Sequence, residues 1–409
     1  MIAIAVLGHG VVGSGVAEVL EKSRGNICRK AGADLYIKKI LDLREFPELS
    51  YSDKFTKDFN EILTDPEIQV VAEVMGGLNP AYDYVSAALS AGKSVVTSNK
   101  ELVAAKGAEL LALAKRMNRN FLFEASVGGG IPIIRPLHQC LAANEIDEIV
   151  GILNGTTNFI LTKMIREGMS FTDALKMAQE LGYAEKDPTA DVEGQDTCRK
   201  ICILASLAFG SHVYPESVQT QGITKITLED VRYAESAGKV IKLLGQTRRV
   251  NGSCYVMVGP ALIGRDSPLA GVEDVFNGIL VRGDATGDVV FVGKGAGKLP
   301  TASAVVSDII DCVKHKDTIA TLHWSDAQSK VSDIRREVTA RYIRCKGKGA
   351  DSIAWQIFGS PTFLQRPDKP VDEFAFIAPA MTGFDFAQKL DALVGKGVEI
   401  LGDIQVWEA

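Results

Sequence analysis

The sequence predicts an α/β fold that opens with a doubly wound parallel sheet, and three observations carry that prediction. Short β-branched runs alternate with helical stretches over the first part of the chain. A G-x-G-x-x-G turn joins the first of these runs to the first helix. The alternation then stops at Gly128-Gly129-Gly130, after which helices cluster and strand-like segments follow one another.

Taken in order, IAIAVLG, LYIKKILDL, VVAEVMG, SVVTSN and NFLFEAS read as strands, with VVGSGVAEVLEK and PAYDYVSAALSAG as helices between them. Strands of a parallel sheet are covered on both faces, so they are almost uniformly apolar. These segments make residues 1–132 a nucleotide-type domain. From Ile133 to Leu207 helices dominate, and SCYVMVGPALI, NGILVRGDA and GDVVFVGKG then read as strands that pair with one another. Residues 133–299 are therefore expected to form a second, α+β domain. LPTASAVVSDIIDCV carries Pro300 in its first turn, where proline suits a helix start, and this helix returns the chain to the first domain. The polar stretch His315–Lys330 reads as a linker, so residues 300–330 are helix plus connection. In the tail, 338–409, the strand signals TARYIRCKG and EFAFIAP alternate with helical patterns that run to the end in FDFAQKLDALVGKGVEILGDIQVWEA.

Composition limits the function. The 409 residues are 46% hydrophobic and 23% charged, a profile of folded globular chains with more than one domain. A net charge of -6 offers no basic field to replace the counterions of a phosphate backbone, which argues against nucleic acid and for a small-molecule partner. The longest apolar stretch, ILASLAF from Ile203, falls far short of the roughly 20 residues needed to cross a bilayer. MIAIAVLG enters the fold at once, with no basic or apolar leader ahead of it. The seven cysteines are scattered and contain no C-x-x-C pair, so neither a disulfide framework nor a zinc site is expected, and a reducing cytoplasm is the simplest compartment.

Gly8-His9-Gly10-Val11-Val12-Gly13 follows the first strand and opens a helix. The first glycine allows the tight turn, the second lets backbone N–H groups approach a pyrophosphate, and the third lets the helix pack closely. This Rossmann-type context points to a dinucleotide. Asp42, ending the second strand, suits the ribose hydroxyls of NAD; Arg44 suits the 2'-phosphate of NADP. The choice between them stays open. Thr97, Ser98, Asn99 and Lys100 end a later strand at the carboxyl edge of the sheet, where open α/β folds bind ligands.

A second constellation lies between Glu180 and Gly210. Asp196 and Lys200 are four apart and share a helix face. A surface ion pair would explain them, yet the helix beyond Lys200 is apolar almost all round, which places the lysine at a protected interior. A partly desolvated lysine can give a proton to the alkoxide formed as hydride reaches an aldehyde carbon. Glu185 or Asp191 would suit a substrate's ammonium or hydroxyl group. Leu153-Asn154-Gly155-Thr156-Thr157-Asn158 supplies amides and hydroxyls, although an Asn-Gly turn accounts for part of that pattern. Glu124, with the carbonyls of the following glycine run, suits a hard cation or, equally, a domain hinge.

GHGVVG, the SNK segment at Ser98, EASVGGGIPI, NGTTNFIL, GYAEKDPTADVEGQDTCRK and GKGAGKLPTASAVVSDI occur in that order, and together they resemble the homoserine dehydrogenase family. The resemblance implies NAD(P)-dependent interconversion of L-homoserine and L-aspartate 4-semialdehyde on the way to threonine and methionine. It implies Lys200 as proton donor, Asp196 positioning substrate or water, Glu185 and Asp191 binding substrate, and Lys100 beside both nicotinamide and substrate. It further implies that Gly295 and Gly297 approach the cofactor from the second domain. Glu124 with the carbonyls of Val127, Gly129 and Ile131 would hold a structural monovalent cation, normally sodium. The second domain becomes one for substrate and dimerisation, with strands pairing across the subunits of a homodimer.

Longer members of the family end in an ACT domain, a β-α-β-β-α-β module that senses amino acids. RYIRCKGKGADSIAWQIF supplies a strand and a helix but no clear aspartate-x-x-glycine turn. An ACT-like regulatory tail over 338–409 is the corresponding expectation. Two other readings compete: a cofactor sensor without activity, and a reductase for a related semialdehyde.

Overall fold

The computed structural model describes residues 1–250, 252–316, 318–319, 322, 324–328 and 331–408. The amino-terminal sheet holds β1 (Ile2–Leu7), β2 (Leu35–Leu41), β3 (Phe55–Thr56), β4 (Ile68–Glu73), β5 (Ser94–Thr97) and β6 (Phe121–Leu122) in the order β3-β2-β1-β4-β5-β6. All its pairings are parallel. Every residue of β1 is buried, as a central strand covered on both faces requires. The strand order turns outward in opposite directions from β1 and β4, which opens a crevice at their carboxyl ends.

Helices α1 (Val11–Lys22), α2 (Arg24–Ala31), α3 (Asn60–Leu63), α4 (Ala81–Ser90) and α5 (Lys100–Arg116) belong to this domain. The second domain contributes α6 (Gly155–Glu167), α7 (Phe171–Glu180), α8 (Thr189–Val192), α9 (Gln195–Phe209) and α10 (Leu228–Ser236). Helix α11 (Lys298–Lys314) follows the second domain and packs on α1. It lies so close to α1 that a Cβ on Gly15 would stand 2.7 Å from the Lys298 carbonyl oxygen.

A ten-stranded sheet forms the rest of the molecule. Its members are β7 (Ile146–Ile152), β9 (Gln219–Thr220), β10 (Lys239–Val250), β11 (Ser253–Gly264), β12 (Phe276–Gly283), β13 (Gly287–Lys294), β15 (Val338–Lys346), β16 (Thr362–Leu364), β17 (Glu373–Thr382) and β18 (Glu399–Trp407). They run β13-β12-β7-β10-β11-β18-β15-β17-β16, with β9 paired to β11. A small separate pair joins β8 (Ser211–His212) to β14 (Ser325–Gln328).

Two expectations are corrected here. The stretch 133–207 is not uninterrupted by strands: β7 lies inside it, buried along nearly its whole length and paired antiparallel to β10 and β12. The carboxyl-terminal run is also not helical to its end. Residues 399–407 form β18, held between β11 and β15, where cross-strand pairing overrides local helical spacing. The tail is consequently β-α-β-β-α-β, with α12 (Ala350–Phe358) and α13 (Gly383–Gly395) over the order β18-β15-β17-β16. It has its own core of Ile343, Phe358, Phe374, Phe376 and Leu393. Part of the expected linker at 315–330 lies outside the described residues. Where it is described it is anchored, because Trp324 is buried and donates from Nε1 to His212 Nδ1 at 2.9 Å.

Candidate active site

The first glycine of the turn, Gly8, has φ +96°, and Met75 packs so closely that a Cβ there would meet Met75 Cγ at 2.9 Å. A Cβ on Gly13 would fall 2.0 Å from the Gly8 carbonyl oxygen, while one on Gly10 would meet nothing within 4 Å. The turn is thus filled at its first and third glycines and open at the second. Gly10 caps α1, with Val11 and Val12 opening the helix, so unpaired N–H groups face that opening, as a pyrophosphate needs. His9 is buried among Phe46, Tyr51 and Phe55, and its backbone N–H donates to Asp42 at 2.7 Å. Arg44 grips the same carboxylate through Nε and Nη2, at 3.0 and 2.9 Å. These bonds hold Asp42 well below the usual carboxylate range, with the Arg44 side chain contributing most. Arg44 also lies over the Phe46 ring at 5.2 Å. The turn, Asp42 and Arg44 together fit a dinucleotide.

Thr97 is buried at the end of β5, and Asn99 caps α5 by accepting from the Leu102 N–H at 3.1 Å. That cap sets Lys100 as the first residue of the helix. Its ammonium forms an ion pair with Asp196 of α9. The helix α9 is bounded by Gly194 at φ +81° and Gly210 at φ +72°, left-handed positions that favour glycine. Asp196 and Lys200 both face inward, 2% and 8% exposed. Lys200 Nζ donates to Asp196 Oδ2 and to the Leu153 carbonyl, each at 2.7 Å. Asn154 Nδ2 donates to Asp196 Oδ2 at 2.9 Å and to Asp191 Oδ1 at 2.7 Å.

Burial and charge compete within this cluster. Burial pushes Asp196 up, but Lys200 and Lys100 overcome it and keep the carboxyl below its ordinary range. Burial pulls Lys200 down, Asp196 opposes that pull, and Lys100 adds to it, for a net fall. Burial raises Asp191, and the Asp196 charge raises it further. The result is a buried carboxylate flanked by one shielded amine and one partly exposed amine. Such an arrangement can carry a proton between the interior and a substrate oxygen.

The remaining expected residues fall in two places. Glu185 lies exposed in the turn after α7, where its carbonyl accepts from Gln179 Nε2 at 3.1 Å, and no contact among the described residues brings its carboxylate to the cluster. Gly295 and Gly297 precede α11, and Gly129 packs so tightly on this loop that a Cβ would sit 2.2 Å from the Gly295 oxygen. Glu124 is occupied by backbone donors. Its carboxylate accepts the N–H groups of Ile133 and Ile134 at 2.6 and 2.8 Å and that of Arg135 at 2.8 Å, so it caps the next segment. The carbonyls of Val127, Gly129 and Ile131 accept no hydrogen bond among the described residues, and as hard oxygen donors they fit a cation.

Two site residues escaped the sequence reading. Asn154 lies in the segment read as supplying amides and hydroxyls to a ligand, but its specific part was not foreseen: it caps α6 through Oδ1 and bridges Asp191 and Asp196 through Nδ2. The LNGTTN segment held the signal, since an asparagine immediately before a helical run is also a cap, accepting an N–H three residues on. Glu73, wholly buried at the end of β4, was hidden within the apolar run VVAEVMG.

Comparisons with known proteins place this geometry. Residues 132–310 match the family described as homoserine dehydrogenase, and residues 8–124 match the one described as homoserine dehydrogenase, NAD binding domain. The chain belongs to the homoserine dehydrogenase family. It is 43% identical to the homoserine dehydrogenase of Bacillus subtilis over 317 residues, covering 77% of this chain and 73% of that relative. The Synechocystis homoserine dehydrogenase is 45% identical, covering 76% and 73%. Among solved structures, a homoserine dehydrogenase from Thiobacillus denitrificans superimposes with a TM-score of 0.92 at 35% identity, covering 100% of this chain and 98% of that one. A hyperthermophilic archaeal homoserine dehydrogenase in complex with NADPH gives 0.66 at 31% identity, covering 76% and 97%. As in the homoserine dehydrogenase family at large, this chain is an NAD(P)-dependent oxidoreductase.

Proposed function

We propose that Lys200 exchanges the proton and Asp196 holds it in place as this chain interconverts L-homoserine and L-aspartate 4-semialdehyde. One observation carries the assignment: Asp196 pairs with Lys200 from its own helix and with Lys100 from the edge of the cofactor sheet. When bound, NAD or NADP would supply the acceptor or donor for the hydride exchanged with the hydroxymethyl carbon of homoserine. Lys200 takes the hydroxyl proton in oxidation and gives it to the alkoxide in reduction. Asp191 and Glu185 receive the substrate ammonium, and Lys100 borders both substrate and nicotinamide. Gly8 to Gly13, Thr97, Gly295 and Gly297 line the cofactor, with Asp42 and Arg44 at its ribose. The carbonyls of Val127, Gly129 and Ile131, beside Glu124, would hold a structural monovalent cation, sodium being the one the family resemblance implies.

Two features support the remaining parts of the reading. β13 ends the long sheet among the described residues, with Val292 56% exposed, so its outer row suits pairing with a second copy in a homodimer. The β-α-β-β-α-β order of the tail supports an ACT-like regulatory unit. The direct test is absorbance of the reduced cofactor with L-homoserine, for the wild type and Lys200→Ala, each with NAD and NADP. Turnover by the wild type and its loss in the variant are expected. Wild-type inactivity with both cofactors would overturn the reading.

A further inference from the structure

Glu73 is a buried carboxyl group that the reaction above does not use. It is 0% exposed at the carboxyl end of β4, and no lysine or arginine touches it among the described residues. Burying a carboxylate without a cation is costly unless its oxygens are filled by donors. Here they are filled. Oε1 accepts the backbone N–H groups of Met75 and Gly76 at 2.8 and 3.2 Å, and Oε2 accepts the Thr97 hydroxyl at 2.5 Å.

The two halves of this carboxylate hold two different walls of the crevice. On one side is the loop after β4, where Gly76 and Gly77 have φ +82° and +73° and Met75 rests on Gly8 of the cofactor turn. On the other side Thr97 gives its only proton to Glu73 and on the same oxygen accepts the Asn99 N–H at 2.9 Å. Asn99 closes the ring, donating from Nδ2 to the Gly77 carbonyl at 2.6 Å while its Oδ1 caps the helix that starts with Lys100. The loop on Gly8 and the helix start that aims Lys100 at Asp196 are thus joined through one side chain.

We propose that Glu73 is a positioning residue for hydride transfer: by bonding Met75, Gly76 and Thr97 at one point it fixes the two walls between which the nicotinamide lies and, through Thr97 and Asn99, the placement of Lys100. This rests on the reaction assigned above. Glutamine in its place keeps the volume but not the function, because one end must then present N–H groups to Met75 and Gly76 or to the Thr97 hydroxyl.

The test compares Glu73→Gln, Thr97→Val and Thr97→Ser with the wild type. Three quantities are measured: kcat and KM for homoserine, the primary isotope effect with homoserine deuterated at its hydroxymethyl carbon, and the dissociation constant of the reduced cofactor from its fluorescence. Glu73→Gln and Thr97→Val are expected to lose about 10- to 100-fold in kcat, as for a buried hydrogen-bonding group left without its partner, with little change in the KM for homoserine. Their isotope effect should grow as the hydride step becomes limiting, and cofactor binding should weaken. Thr97→Ser, which keeps the hydroxyl, should recover most of what Thr97→Val loses in kcat and in cofactor affinity. The proposal is overturned if the isotope effect and cofactor affinity are unchanged and lost activity only follows lost folded protein, or if Thr97→Val matches Thr97→Ser. Should Glu73→Gln fail to fold, the two Thr97 variants decide. If the wild type fails on homoserine, the assigned reaction falls, and the fluorescence measurement alone judges Glu73.

Discussion

Lys100 and Lys200 share a single carboxylate. Lys200 meets Oδ2 of Asp196 at 2.7 Å from within the same helix, and Lys100 meets Oδ1 from the edge of the other domain. The two amines differ in environment, since the Lys200 side chain is 10% exposed and that of Lys100 41%. Desolvation penalises the charged form of Lys200. Burial therefore distinguishes two lysines that share one acid.

Their roles should separate kinetically. Lys200→Ala is expected to lower kcat by at least about 10²-fold, the usual worth of a general acid-base group. Lys100→Ala should lose less in kcat and show a raised KM, as for a group that binds rather than exchanges the proton. Steady-state kinetics in both directions checks the ranking; a larger kcat loss for Lys100→Ala would transfer the proton step to it.

The pH dependence follows from the same contacts. Burial lowers the Lys200 pKa from 10.5 against the raising effect of Asp196. Homoserine oxidation requires the neutral amine, so its rate should rise with pH and level off below 10.5; aldehyde reduction requires the ammonium and should fall over the same range. Asp196→Asn removes the charge that raises Lys200, so whatever activity remains should show its rising limb at lower pH. A limb unmoved or shifted upward in pH–rate profiles would mean that another group titrates.

How far the sequence spoke depended on whether chemistry was local. The cofactor turn was legible because Gly8, Gly10 and Gly13 act within one strand-turn-helix unit, and the Asp196–Lys200 pair because it spans one helical turn. Glu73 was not, because its partners at Thr97 and Asn99 adjoin it only once β4 and β5 pair. β7 and β18 were missed for a similar reason: Gly151 and Gly402 interrupt their apolar patterns, and pairing with β10, β11, β12 and β15 makes them strands. The capping role of Glu124 depends on a chain reversal at Gly128, invisible in composition.

Lys242 offers a test of buried charge away from the site. It is 2% exposed on β10, and its ammonium is held by the Val272 carbonyl at 2.5 Å and Asn158 Oδ1 at 3.1 Å. Burial pulls its pKa from 10.5 down to about 8. Between these values the unfolded chain binds the proton and the folded chain does not, so stability rises with pH there, and the penalty is complete below about 8. Lys242→Met lacks this dependence. The wild type should gain on the variant by roughly 3 kcal/mol between pH 7 and pH 10.5, measured by denaturant unfolding at several pH values. Parallel curves would show that the lysine stays charged inside.

The tail is tied to the second domain by a buried ion cluster, and this predicts how it unfolds. Arg344 on β15 donates to Asp230 at 2.7 Å and to Thr227 at 3.0 Å, and pairs with Glu373 at 3.2 Å. Tyr342 adds a bond to Asp230 at 3.1 Å. Asp230 also completes the capping box of α10, so one carboxylate serves a helix of one unit and a strand of the other. Arg344→Met would leave Asp230 and Glu373 buried without their cation, a loss of about 3–5 kcal/mol. Because β18 pairs with both β11 and β15, that loss should lower one common transition in calorimetry, with turnover per folded molecule at 25 °C close to wild type. Two separated transitions would instead mean that the tail folds independently, and that the continuous sheet does not couple the units.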